Sequence, residues 1–168
     1  LSMSTKEVLK KINNRTLAVF ITHAQGFNGL SDKLLKELKK RKIHLIEDVC
    51  ESHGAKHKNK KLGSYGLISN FSYYYAHHMT TIEGGMVCTN NKEIYELSKM
   101  FRSHGMAREA KNKKFENRLI KKHKDLSPQF IFLYPTLNFR NNEIGAVMGI
   151  NQLKNLNKNN NERTKNLK

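Results

Sequence analysis

Cysteine, acidic side chains and long apolar runs are all scarce in this chain of 168 residues, and each shortage excludes something. Two cysteines, Cys50 and Cys88, cannot build a disulfide framework, so a cytoplasmic protein is the default expectation. They also fall short of the four thiolates that an iron–sulfur cluster normally takes. No apolar stretch approaches the ~18 residues of a membrane-spanning helix, and the first residues lack the architecture of a secretory signal. Fourteen acidic residues face 31 Lys and Arg, for a formal net charge of +17. Such a charge invites a nucleic-acid reading. The basic residues are spread along the whole chain, however, with Asn beside Lys in the tail and no recognised DNA- or RNA-binding motif. Solvated lysines on helix faces are the favoured reading, and nucleic acid is not the expected partner. The same field attracts phosphate-bearing small ligands.

What is present is an alternation of strand-length apolar runs and amphipathic helices. A short helix capped by Ser4 or Thr5 is expected through Asn13, with Val8, Leu9 and Ile12 inward. Residues 16–22 (TLAVFIT) read as a buried parallel strand, and Ser31 caps a helix running through Lys42. Residues 43–47 form a second strand, and strand–helix–strand order implies a right-handed parallel crossover. Residues 54–66 read as loop, 67–75 and 86–89 as strands, 91–104 as a helix. The stretch 108–125 reads as a mobile insertion or a partner-dependent helix, 143–153 as a helix, and the tail beyond as frayed. The fold class is α/β with a mostly parallel sheet.

In such sheets ligands sit beyond the carboxyl ends of the strands, where the chain places His23, Asp48 and residues 73–81. An acid closing an apolar strand is costly unless it meets a cation or hydrogen-bond donors. Cys50, His53 and His57 have spacings that suit zinc, but a tetrahedral site needs a fourth ligand, so no metal site is expected.

Four ordered blocks then carry a resemblance: IEDVCESHGA (46–55), FSYYYAHHMTTIEGG (71–85), RSHG (102–105), and LNFR (137–140) followed by Glu143 and Gln152-Leu153. With THAQG (22–26) ahead of them, they resemble the DegT/DnrJ-type nucleotide-sugar aminotransferases, pyridoxal-phosphate enzymes of fold type I. The resemblance implies the three-layer α-β-α large domain of that fold. It covers nearly the whole chain, and implies that residues 1–155 are part of that domain and 156–168 a Lys/Asn-rich tail leading toward a C-terminal domain. Relatives are more than twice as long. This chain is therefore expected to begin after the phosphate-binding turn of the large domain and to stop before the small domain, as a fragment unsuited to catalysis alone.

In the family, the second block carries the lysine that bonds covalently to the cofactor; here His77 stands at that position. Imidazole cannot form that bond, but it is a good acid/base near neutral pH. The replacement resembles the branch of nucleotide-activated 4-keto-6-deoxyhexose 3-dehydratases, which work with pyridoxamine phosphate (PMP) held non-covalently. By resemblance, His77 is the catalytic acid/base, Asp48 pairs with the pyridine nitrogen, and Ser72 bonds the phosphate. Glu51 stands where many relatives have Gln beside the cofactor hydroxyl. Asn138 matches a residue that reaches the neighbouring subunit's cofactor, implying a homodimer with shared sites. The substrate implied is a nucleotide sugar, and glutamate is the implied source of the cofactor's amino group. The alternative is a relative that lost catalysis with its lysine and serves as a binding or scaffold protein.

Overall fold

The structure, a computed structural model, describes residues 2–167. They form two units: 2–88 together with 142–167, and 89–141.

The first unit is built on a four-stranded sheet. Helix α1 (Thr5–Lys11) is capped by the Ser4 hydroxyl, which accepts from the Glu7 N–H, and precedes strand β1 (Ala18–Thr22). Helix α2 (Asp32–Arg41) starts where Ser31 Oγ accepts the Leu34 N–H and ends at Lys42 in the left-handed region. It crosses to β2 (His44–Asp48), which pairs parallel with β1 in the register Phe20–Ile46 and Thr22–Asp48. A two-rung hairpin follows, β3 (Lys56–His57) and β4 (Lys60–Lys61), inside the stretch expected to be loop. It is tied down because the His57 ring accepts from Asn28 Nδ2 at 2.9 Å and bonds Asp32 at 3.0 Å. Strand β5 (Ile68–Ser72) lies parallel to β2, and β6 (Gly85–Cys88) closes the edge antiparallel, giving the order β1-β2-β5-β6.

Alternation divides the residues of these strands between two faces. Val19, Ile21 and Leu45 point to α2, where Leu34 and Leu38 recur at helical spacing, and Leu30, Val49 and Leu62 complete this core. Burying a side chain of this size contributes about 1.5–3 kcal/mol. On the opposite face Phe20 and Val87 stay 53% and 54% exposed. The helical layer of α2 thus covers one face of the sheet. The last helix of this unit, α5, runs Glu143–Asn166, so the tail that composition marked as frayed continues the helix expected over 143–153. Lys and Asn are tolerable helix residues when tertiary packing fixes the helix, and Leu156 is buried within this part of α5.

Between β5 and β6, Ile82 adopts φ +70°. A left-handed conformation costs a residue with a Cβ about 1–2 kcal/mol, and a β-branched side chain makes it unusual. The side chain is 62% exposed and gains little from burial. Ile82→Gly is therefore expected to raise stability by about 1 kcal/mol, after glycine's own entropy cost of about 0.5–1 kcal/mol; the midpoint of urea unfolding checks it.

The second unit holds α3 (Lys92–Arg102) and α4 (Lys113–Lys122), with short bridges Ser103–Asn138 and Met106–Phe132. Residues 108–125 thus contain a helix, one of the two forms expected for this stretch. Leu119 packs on Ala107 and Ile131 within its own unit, and Asn112 caps it by accepting the Phe115 N–H. The fully buried Ser103 hydroxyl accepts from Arg140, whose guanidinium also reaches Glu109 at 2.9 Å.

Candidate active site

Three of the residues singled out by sequence gather at the carboxyl ends of β2 and β5. Asp48 is the last residue of β2 and, by register, shares a sheet face with Thr22, Asn70 and, two residues further on, Ser72. Its carboxylate accepts the Cys50 N–H at 3.1 Å, Asn70 Nδ2 at 3.0 Å and the Thr22 hydroxyl at 3.4 Å. Burial opposes its ionisation, but hydrogen bonds from Cys50, Asn70 and Thr22 outweigh that and hold the pKa below its ordinary value. Burial together with this neighbouring acid pushes the Cys50 thiol up to about 11, so it stays protonated and unreactive at neutral pH. Asp48 is thus a half-buried anion whose partners are neutral groups, with no ion pair among the described residues.

Glu51, one turn further on, accepts the Gln25 N–H at 2.7 Å and electrostatically favours protonation of His78. Ser72 ends β5, and its hydroxyl accepts the Tyr74 N–H at 3.3 Å. The loop that follows is closed at its neck, where the Tyr73 N–H donates to Gly84 and the Thr81 N–H returns to Tyr73. His77 lies in this loop, its N–H donating to the Tyr74 carbonyl at 3.1 Å and its ring 6.0 Å from that of Tyr74. Asp48, Glu51, Ser72 and His77 therefore belong to one unit; Asn138 lies in the second, paired with Ser103.

His23 is placed differently from the expectation. Alternation turns it away from Asp48 and into the core, where it is fully buried with Glu47 at 3.2 Å. Its Nδ1 accepts the Gly29 N–H, so Nε2 carries the proton that Glu47 receives. Glu47 also accepts the N–H groups of Gly63, Tyr65 and Gly66 at 2.6–2.7 Å. Gly63 adopts φ +85°, and a Cβ there would meet Phe71 at 2.9 Å, so the turn approaches the sheet as only glycine allows. The spacing Cys50, His53, His57 does not converge: His57 pairs with Asp32 and Asn28, and Cys50 sits by Asp48. His53 takes a place that spacing alone did not indicate. It is buried under Phe71 and Tyr73, against the rings of His77 and His78.

The model of the DegT/DnrJ/EryC1/StrS aminotransferase family matches residues 1–168. The chain belongs to this family. A relative from Escherichia coli O55:H7, named GDP-4-keto-6-deoxy-D-mannose 3-dehydratase, is 34% identical over 158 residues, which make up 93% of this chain and 40% of that protein. Among solved structures, E. coli GDP-4-keto-6-deoxy-D-mannose-3-dehydratase with bound hydrated pyridoxal phosphate matches with TM-score 0.77 and 31% identity, covering 93% of this chain and 40% of that one. A Helicobacter pylori aminotransferase involved in the biosynthesis of pseudoaminic acid matches with TM-score 0.71 and 31% identity over 92% of this chain and 37% of its own. The fold is that of the pyridoxal-phosphate-dependent aminotransferases, as the four blocks implied. This family member spans about 40% of the length of the dehydratases it matches.

Proposed function

We propose that this chain is the cofactor-binding part of a PMP-dependent 3-dehydratase acting on a nucleotide-activated 4-keto-6-deoxyhexose, in deoxysugar biosynthesis. What supports the reading is an imidazole, His77, at the position where the resemblance of the second block implies the family's lysine, in a chain 34% identical over 93% of its length to a GDP-4-keto-6-deoxy-D-mannose 3-dehydratase. The complete protein is a cytoplasmic homodimer in which Asn138 of one subunit reaches the cofactor phosphate of the other.

The side chains suit the cofactor. Asp48 is a half-buried carboxylate held ionised by neutral donors, which a protonated pyridine nitrogen complements. Ser72 and Glu51 provide a hydroxyl and a carboxylate at the same strand ends for the phosphate and the phenolic oxygen. When bound, the cofactor supplies the electron sink that lets bonds next to the sugar's C4 carbon break. Asp48 keeps the ring nitrogen protonated. His77, free of any covalent tie, would serve as the acid/base that takes a proton at the cofactor's C4′ carbon and gives one to the departing C3 hydroxyl. A lysine there would bond covalently to the aldehyde form of the cofactor, which an imidazole cannot do.

The complete protein, supplied with PMP and GDP-4-keto-6-deoxy-D-mannose, is expected to release the 3-deoxy-4-keto sugar nucleotide. Appearance of a 4-amino sugar instead would replace this reading with that of an aminotransferase. Asp48→Asn is expected to weaken PMP binding about ten- to a hundredfold, since a hydrogen bond to a charged group contributes about 1.5–3 kcal/mol. A fluorescence titration measures it, and unchanged affinity would remove Asp48 from the cofactor site.

A further inference from the structure

Among the described residues, the buried side-chain nitrogen and oxygen atoms without a hydrogen-bond partner are both ring nitrogens of His53, Nδ1 of His78 and Oδ1 of Asn160. All belong to one place. His53 is 4% exposed, and its ring lies 5.9 Å from that of His78 and 6.2 Å from that of His77. Asn160, on α5, donates through Nδ2 to the His53 carbonyl at 2.7 Å, and a Cβ on Gly54 would sit 2.8 Å from that nitrogen. The far end of α5 is thus pressed against the backbone that carries His53.

A buried unpaired donor or acceptor costs about 1–3 kcal/mol, so several at one spot beside a proposed catalytic loop call for a partner. The two rings are complementary. Burial and the neighbouring imidazoles push the His53 pKa down to about 4, and burial, then Arg163 and His77, lower that of His78, with Glu51 opposing. Both rings are therefore neutral near pH 7, each with one N–H and one lone pair. The Ser72 carbonyl favours protonation of His53 but makes no hydrogen bond with it.

We propose that His53 is a positioning residue for His77: its ring N–H donates to Nδ1 of His78 when the site closes over its ligands, anchoring the loop so that the adjacent His77 is held toward the substrate. The role rests on the acid/base reading of His77; the pairing itself does not. With His78 tied down on the side of His53 and α5, the loop loses the freedom to turn His77 away. This matters because a misplaced proton-transfer group forfeits rate without forfeiting binding.

Two readouts separate the outcomes. In the complete enzyme with PMP bound, nitrogen-15 spectra of labelled histidines are expected to show His78 as the Nε2–H tautomer, with a coupling between its Nδ1 and a ring nitrogen of His53. His53→Leu is expected to abolish that signature and to lower kcat about ten- to a hundredfold with KM little changed. His53→Gln, whose amide N–H can donate in its place, is expected to restore most of the rate. A His78 ring protonated at Nδ1, or one whose tautomer His53→Leu leaves unmoved, overturns the pairing. Equal losses in the Leu and Gln variants, or a change in KM alone, overturn the positioning role. If the Leu variant does not fold, the wild-type spectrum and the Gln variant decide. Should His77 prove dispensable, the acid/base reading falls while the spectrum still decides the pairing.

Discussion

Glu47→Ala is expected to cost about 3–5 kcal/mol of folding stability, because it leaves several buried donors unsatisfied at about 1–3 kcal/mol each. The carboxylate is fully buried, and each oxygen accepts two hydrogen bonds: Tyr65 and Gly66 N–H at Oε1, Gly63 N–H and His23 Nε2 at Oε2. Alanine leaves all four donors facing a void. Against a total stability of about 5–15 kcal/mol, the loss places the variant close to unfolding, and urea denaturation at pH 7 measures it. Glu47→Gln should rescue little, because its NH2 would confront donors on one side. The pH dependence has a definite sign. Burial alone would raise the pKa of Glu47, but hydrogen bonds from His23, Gly63, Gly66 and Tyr65 together lower it below the ordinary 4.5. A lowered folded-state pKa contributes stability that is fully present above 4.5 and lost as pH falls through the folded value. The wild type should therefore lose stability on acidification below that point, and Glu47→Gln should lose less. An alanine variant within about 1 kcal/mol of wild type, the worth of one ordinary hydrogen bond, would contradict the network.

The strands and helices that periodicity can mark are those in which one face is dry. β1, α2 and β2 were legible because TLAVFIT is apolar throughout and Leu34 and Leu38 recur with helical spacing over the same core. The β3–β4 hairpin was not, since three of its four strand residues are lysines and it is held by side chains from elsewhere, chiefly Asn28 and Asp32 on His57. α4 and the second half of α5 hid for a related reason. The second half of α5 buries only Leu156 among Lys and Asn, which leaves no periodic signal, whereas α4 has an apolar face of Phe115, Leu119 and Ile120 inside a stretch so basic that its charge obscured the spacing.

At the proposed site, motif order singled out Asp48 and His77, while the surroundings of the other residues depend on neighbours across the fold. A strand-end acid needs donors, and this holds for Glu47 as much as for Asp48, the residue after it. Alternation sends the two to opposite faces: Asp48 to the open side, Glu47 to the core with His23. A Gly-x-Tyr-Gly turn at 63–66 was the available signal, since its N–H groups are what the buried carboxylate collects. His53 carried no signal of its own, because its neighbours come from three segments: the 71–73 strand end, the 77–78 loop and α5.

In the complete enzyme, His77→Asn is expected to lower kcat for 3-dehydration by about 10²–10⁴-fold, the range that a positioned acid/base supplies. PMP affinity should change little, because Asp48 and Ser72, not His77, are assigned to hold the cofactor. This separation is what distinguishes a proton carrier from a structural loop residue, whose loss would weaken binding and rate together. His77→Lys completes the test. An amine at the same position is expected to capture pyridoxal phosphate covalently, giving the absorbance band of a lysine-bound cofactor that the parent lacks, while dehydration is lost. Band and loss together put residue 77 at the reacting carbon. A lysine variant that binds the cofactor without the band would place residue 77 elsewhere in the site. An asparagine variant that dehydrates at the wild-type rate would return the proton transfer to another group, and with it the reason why this branch dispenses with lysine.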